Sequence, residues 1–80
     1  MFRILEIIRT VDGQLTNRYL PLEFPERAEA VAHIELLQTQ FILRGYDHKQ
    51  HLWWAKNDNT SEVYQWVIED ETVTVVRGSD

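Results

Sequence analysis

Two apolar runs near the start of the chain, joined by a turn signal, predict a β-hairpin. Residues 2–11 are rich in β-branched and aromatic types, the composition that strands favour. Asp12-Gly13 follows at once, and this pair is typical of a tight hairpin turn because glycine readily adopts positive φ. The return strand is predicted over residues 14–22. Pro21 has no N–H to donate, so this end of the strand is expected at a sheet edge.

The longest helical pattern begins at Pro25 and is predicted to run to about Leu43. Glu26 and Glu29 lie in its first turn, where the helix dipole favours anions. One stripe of apolar residues recurs at 3.6-residue spacing: Ala30, Val31, Ile34, Leu37 and Phe41. Arg44-Gly45-Tyr46 is expected to end the helix, with glycine in the left-handed conformation that follows many helix C-termini.

Two more strands are predicted after the helix, over residues 51–56 and 62–68, with a turn at 57–60 between them. Residues 72–76 are read as either a fifth strand or a loosely held tail. The pattern therefore predicts an α+β fold of the order ββαββ(β), an antiparallel sheet with one long helix packed on one face. We expect a single domain over residues 1–76 and a frayed C-terminal tail over 77–80.

The predicted strands carry large apolar groups on both faces instead of alternating apolar with polar residues. In the first strand, Ile4 and Ile8 share one face while Leu5 and Ile7 share the other. Four strands span about 15–19 Å, whereas a helix is only about 10 Å across. One helix therefore leaves apolar sheet surface uncovered, unless long Arg and Lys stems and the C-terminal segment shield it.

This uncovered apolar surface of the sheet predicts a binding or structural module that self-associates, most simply as a homodimer. The candidate contact residues are Trp53, Trp54, Tyr64 and Trp66, with Leu36 and Leu43 as a second set. One alternative is a small-molecule or peptide binder that uses the uncovered sheet face as a groove. A second alternative is a weak single-stranded nucleic-acid binder that stacks bases on these aromatic rings.

Charge and composition limit the classes of partner that are expected. The chain has 80 residues and a net charge of −5, and its Lys and Arg residues are scattered singly. Duplex nucleic acids and anionic membranes need clustered positive charge, so neither is an expected partner. The absence of cysteine excludes disulfides, thiolate zinc sites and cysteine nucleophiles. No run approaches the ~18 apolar residues of a membrane span, and the N-terminus lacks the layout of a secretory signal, so we expect a cytoplasmic protein.

Candidate chemistry is sparse. Asp47, His48 and His51 could approach one metal ion, but their spacing is non-specific, and a polar loop that leads into a strand explains them better. No serine lies in a nucleophile-elbow sequence, and no glycine-rich phosphate loop is present. Glu6 and Glu62 fall within or beside strands, where ion pairs account for them. The sequence predicts no enzyme, no metal site and no cofactor.

Residues 45–69 carry one resemblance. Gly45-Tyr46, then Trp53-Trp54-Ala55, then residues 64–69 (YQWVIE) resemble the pattern of small uncharacterised bacterial proteins of this length. The resemblance covers about a third of the chain. It implies a compact domain without an assigned activity and transfers no functional residues.

Overall fold

The computed structural model describes residues 1–58 and 62–70, which form a five-stranded antiparallel sheet and one α-helix. The elements are β1 (Phe2–Arg9), β2 (Leu15–Phe24), α1 (Arg27–Gln38), β3 (Leu43–Asp47), β4 (Leu52–Lys56) and β5 (Val63–Asp70). The strands lie side by side in the order β2-β1-β5-β4-β3. The coarse prediction of an α+β domain with an antiparallel sheet and one helix is confirmed.

The N-terminal hairpin forms where the sequence predicts it. Gly13 has a φ of +93°, and its N–H donates to the Thr10 carbonyl at 3.0 Å. β2 is an edge strand, as Pro21 indicates. Three β2 residues, 20–22, lie opposite the single residue Ile4, because Arg3 pairs with Glu23 and Leu5 with Tyr19. Pro21 thus lies in a bulge, where no ladder hydrogen bond is required of it.

The predicted end of the helix is wrong. α1 ends at Gln38, and Leu43 is the first residue of β3, a strand that the sequence pattern does not predict. The Thr39 hydroxyl donates to the Leu36 carbonyl at 2.6 Å. Backbone bonds spanning three residues then follow, from residues 39, 40 and 41 to 36, 37 and 38. Such bonds tighten and close a helix end, and the chain leaves as an extended strand.

Gly45 therefore lies inside β3 and does not cap the helix. Gly13 is the one glycine with positive φ among the described residues. With β3 included, the order is ββαβββ, which differs from the predicted ββαββ(β). The predicted strand over 72–76 and the predicted tail over 77–80 lie outside the described residues.

One face of the sheet forms the core together with the helix. The buried cluster consists of Ile4, Ala30, Ile34, Trp53, Ala55 and Trp66. Ala30 and Ile34 belong to the apolar stripe predicted for α1, and Val31, Leu37 and Phe41 of the same stripe pack against the cluster. We call the side of the sheet that carries Ile4, Trp53 and Trp66 the core face.

A buried carboxylate lies on the core face beside these apolar groups. Glu6 is 7% exposed. One of its oxygens accepts a bond from the indole N–H of Trp66, and the other accepts from Arg18 Nε, each at 3.0 Å. Burying an acid costs free energy unless its oxygens are paired. Here the pairing also ties three neighbouring strands, β2, β1 and β5, together at one level of the sheet.

Gln38 attaches the end of the helix to the β3–β4 edge of the sheet. Its side-chain amide donates to the carbonyl oxygens of Gly45 at 3.0 Å and of Trp54 at 2.9 Å. These two residues pair across β3 and β4. The last turn of α1 is therefore attached to the β3–β4 edge by hydrogen bonds as well as by apolar contact.

We expect Glu6→Leu to lower the free energy of unfolding by about 1–3 kcal/mol, because it leaves the buried Trp66 N–H without an acceptor. Glu6→Gln should cost less. It keeps an acceptor oxygen for Trp66 and loses the charge only towards Arg18, whose side chain is largely exposed. Urea unfolding followed by tryptophan fluorescence measures both, with the exposed Glu35→Gln as a control. Equal losses for the two Glu6 variants would show that the bond to Trp66 is unimportant.

Candidate functional site

The face opposite the core face, here called the open face, carries its own apolar band. Consecutive strand residues alternate between faces, and the register places neighbours of the band side by side, with Leu5 next to Val67 and Ile7 next to Gln65. Six apolar side chains make up the centre of the band: Leu5, Ile7, Leu52, Trp54, Val63 and Val67. All are half-buried except Leu52, which is buried.

The margins of the band are more exposed. Leu15 and Tyr19 lie on the edge strand β2, and Leu43 lies on the edge strand β3. The helix contributes its buried residues to the other side of the sheet. Within residues 1–58 and 62–70, no helix covers the open face. An apolar band of this kind on one side of a sheet is a candidate interaction surface.

Trp54 lies flat on the open face because its neighbour is glycine. Gly45 pairs with Trp54 across β3 and β4. A Cβ added at Gly45 would lie only 2.9 Å from a carbon of the Trp54 ring. The missing side chain therefore lets the indole lie against the backbone of β3. This extends the flat apolar surface to the edge of the sheet.

A polar cluster lies at the end of the open face where β1 begins. The Tyr19 hydroxyl donates to Glu69 Oε1 at 2.8 Å. Arg3 lies 3.8 Å from the same carboxylate oxygen, and its guanidinium stacks 3.8 Å from the Tyr19 ring centre. The hydrogen bond to Glu69 raises the pKa of the Tyr19 hydroxyl above its usual value. This cluster joins β2, β1 and β5 on the open face as Glu6 joins them on the core face.

The predicted contact residues separate onto different surfaces. Trp53 and Trp66 are 7% and 1% exposed in the core. Tyr64 is half-buried on the core face, with its ring centre 5.0 Å from that of Phe41. Trp54 and Leu43 lie on the open face. Since Trp53 and Trp54 are consecutive in a strand, they point to opposite faces, and Trp53, Trp66 and Tyr64 all lie outside the open face.

Leu36 lies apart from both sheet faces. It is 62% exposed on the helix. Five residues at the centre of the open face are not among the predicted contact residues. They are Leu5, Ile7, Leu52, Val63 and Val67. Strand alternation places them opposite the core residues, and this alternation is the signal in the sequence that identifies them.

The histidine region acts as a turn. Asp47 Oδ1 accepts the backbone N–H of Lys49 at 2.9 Å and that of Gln50 at 3.2 Å. His48 and His51 are exposed, and His51 adopts a positive φ of 55° just before β4. Among the residues that the structure describes, no three His, Cys, Asp or Glu side chains are grouped to hold a metal ion.

A cleft of about 420 Å³ opens where the C-terminal end of the helix meets β5, and it is lined by Gln40, Phe41, Asn57, Glu62 and Tyr64. Burial raises the pKa of the Tyr64 hydroxyl. The one ionisable carboxylate in this lining, Glu62, is exposed. Two polar amides and a single acid do not define a ligand class.

The helix in the described part of the chain is not long and apolar enough to cross a membrane. No protein-family model, curated protein or solved structure matches the chain.

We expect the Tyr19 hydroxyl to titrate at a higher pH than an ordinary tyrosine, and Glu69→Ala to lower its pKa. The raised pKa means that this hydrogen bond stabilises the fold below the pKa of tyrosine in the unfolded chain. The contribution is lost as the pH rises through the folded-state pKa. Carbon NMR of ring-labelled tyrosine follows the titration, and Tyr19→Phe assigns the signal. A Tyr19 titration that does not respond to Glu69→Ala would contradict the hydrogen bond.

Gly45→Ala is expected to lift the Trp54 ring from the sheet, because the new methyl group would overlap it. The indole N–H signal of Trp54 in a nitrogen–proton NMR spectrum should then shift. Gly13→Ala is the matched control. It strains a positive φ but has no side-chain neighbour within 4 Å, so it should lower stability without moving that signal. An unchanged Trp54 signal in Gly45→Ala would show that the ring does not lie over Gly45.

Proposed function

We propose that this protein is a non-enzymatic module that forms a homodimer by burying the open faces of two copies against each other. The observation that carries the proposal is the apolar band of the open face, which lies on the side of the sheet opposite the helix. Burial of apolar surface is the main favourable term in protein association. Two such bands stacked about 10 Å apart would resemble the interior of a β-sandwich.

The edges of the sheet support association through its face. β2 carries Pro21 and a bulge, and β3 has only five residues. Short edge strands, prolines and bulges are features that prevent a sheet edge from adding a further strand. Continuation of the sheet from one copy into the next is therefore disfavoured on both sides, and the flat face remains as the surface for contact.

The size of the open face limits the area of the contact. Five strands spaced about 4.8 Å apart span roughly 19 Å, and eight residues extend about 26 Å. The face therefore offers about 500 Å² per copy and about 1,000 Å² in a dimer, the lower limit for specific interfaces. A contact of this size is typical of weak or transient association.

The chemistry of the described residues is consistent with a role in binding. The buried acid Glu6 has both carboxylate oxygens engaged by Trp66 and Arg18. A general acid or base must be free to reach a substrate, and this one is enclosed in the core. We therefore propose that the protein acts through its surface and catalyses no reaction.

Sedimentation at micromolar concentrations tests the proposal, with a monomer–dimer equilibrium as the expected result. Val67→Lys places a charge at the centre of the open face and should weaken dimerisation at least about a hundredfold, because the ammonium group would lose its water. Leu36→Lys is the matched control. It makes the same kind of change on the exposed helix surface and should leave the equilibrium unchanged.

Circular dichroism shows whether each variant folds. A wild-type protein that is monomeric at all concentrations would contradict the proposal. If the melting temperature of such a monomer rose with an apolar peptide or small molecule, the open face would be a ligand groove instead. Loss of the dimer in Leu36→Lys alone would move the interface to the helix.

A further inference from the structure

Gln65 is a polar side chain at the centre of the apolar open face. It lies on β5 between Val63 and Val67 of the same face, and its neighbours on the adjoining strands are Ile7 and Trp54. Gln65 is half-buried. Within residues 1–58 and 62–70 its side chain makes no hydrogen bond. The described part of one copy therefore surrounds this amide with apolar groups and gives it no partner.

Dimerisation through the open face would take this amide out of water. Burying an amide without hydrogen bonds is unfavourable, so the interface has to supply a partner. A primary amide carries both an acceptor oxygen and N–H donors. Packed sheets are about 10 Å apart, and an extended glutamine side chain reaches about half of this distance. Two Gln65 amides that meet midway can therefore donate to each other.

The area of the open face places the twofold axis near the middle of the sheet. The whole face reaches only the lower limit for a specific interface, so an axis displaced to one side leaves too little contact. β5 is the middle strand of the five, and Gln65 and Val67 are its two inner residues on this face. An axis over β1 would bring Gln65 to Asn17 of the second copy, but it would leave Trp54 uncovered.

An axis over Gln65 pairs the two amides whichever way the second copy runs. Along β5, the axis brings every residue of that strand to its own counterpart. Across the strands, it brings Gln65 to its counterpart and Val67 to Val63 of the second copy. Packed sheets are rotated by about 30°, but a residue on the axis keeps its counterpart as its neighbour at any rotation.

Neighbouring positions of an axis across the strands satisfy the amide less well. An axis midway between Gln65 and Val67 would lay the amide on Val67 of the second copy, which offers no hydrogen bond. An axis over Val67 would lay the amide on Glu69 of the second copy. That arrangement encloses a charged group, which is costly, and leaves Val63 beyond the contact.

We infer that the twofold axis of the dimer passes over Gln65, so that the Gln65 amides of the two copies bind each other through two reciprocal hydrogen bonds. This inference rests on the proposed dimer and identifies the residue that positions the two copies. The apolar band supplies the attraction. A single polar residue in an otherwise apolar contact fixes how the partners align, as a buried asparagine does in a coiled coil.

Opposite charges at position 65 test the inference, because only a residue on the axis meets its own counterpart. Gln65→Glu and Gln65→Lys should each weaken dimerisation at least about tenfold, since each brings like charges together. In a mixture, the Glu–Lys dimer should be at least about tenfold tighter than either like dimer. Sedimentation gives the dissociation constants, and native mass spectrometry with one variant nitrogen-15-labelled counts the mixed dimers.

Leu15→Glu and Leu15→Lys are the matched control. Leu15 is exposed on the same face, but it lies on the edge strand β2, two strands from β5. Its counterpart in the second copy is therefore distant, and mixed dimers of these variants should form in the statistical proportion. Circular dichroism shows whether all four variants fold.

A statistical proportion of mixed dimers for the Gln65 variants would overturn the position of the axis. So would a Gln65→Glu and Gln65→Lys mixture that stays monomeric under conditions where the wild-type protein is dimeric. A wild-type protein that is monomeric by sedimentation would instead overturn the proposed function, so the two failures are distinguishable.

NMR of the wild-type protein provides an independent measurement. In a mixture of isotope-labelled and unlabelled copies, an isotope-filtered NOE should join the Gln65 amide protons of one copy to the Gln65 side-chain methylene protons of the other. Intermolecular NOEs from Val67 without any from Gln65 would contradict the amide pair.

Discussion

The alternation of side chains along a strand is the constraint on which this structure depends. Strands β1, β4 and β5 carry apolar residues at both odd and even positions, so each face of the sheet receives its own set of apolar groups. One helix shares a core with one of these sets. The second set lies on the other side of the sheet, and the proposed contact with a second copy rests on it.

Polar contacts determine how the strands are held together around these apolar layers. On the core face, Glu6 bridges Arg18 and Trp66. On the open face, Glu69 contacts Tyr19 and Arg3. Both carboxylates link β1 to its two neighbours, one from each side of the sheet. A strand crossed by two such bridges has a strongly defined register, because a shift of β1 by one residue would move both Glu6 and Arg3 to the opposite faces, away from their partners.

Much of the fold is encoded locally and could be predicted. The Asp12-Gly13 turn, the start of the helix and the assignment of apolar residues to opposite strand faces all follow from short patterns. The end of the helix does not. Residues 39–43 continue a helical pattern, but β3 is held in the sheet by its pairing with β4 and by the bonds of Gln38 to Gly45 and Trp54, and the helical period reveals neither. The predicted role of Gly45 as a helix cap is wrong, because a short pattern cannot reveal that the ring of Trp54 will occupy the space beside it.

The burial of Trp53 and Trp66 could not be predicted, for a similar reason. Alternation separated Leu52 and Trp54 from Trp53 and Ala55, but it could not show which of the two faces the helix would meet. That choice depends on the three-dimensional path of the chain from β2 into α1. The size of a side chain was therefore a poor guide to its exposure. Trp66, which is among the largest residues of the chain, is almost fully enclosed.

The strand order also has a consequence for how the chain is made. β5 is the last of the described strands along the chain, yet it lies at the centre of the sheet between β1 and β4. Until residues 63–70 leave the ribosome, β1–β2 and β3–β4 are two separate hairpins, and isolated hairpins are only marginally stable. At about 5–20 residues per second, synthesis from β1 to β5 takes several seconds. During that interval the apolar groups of both hairpins lack their central neighbour, so the sheet is completed in a single late step.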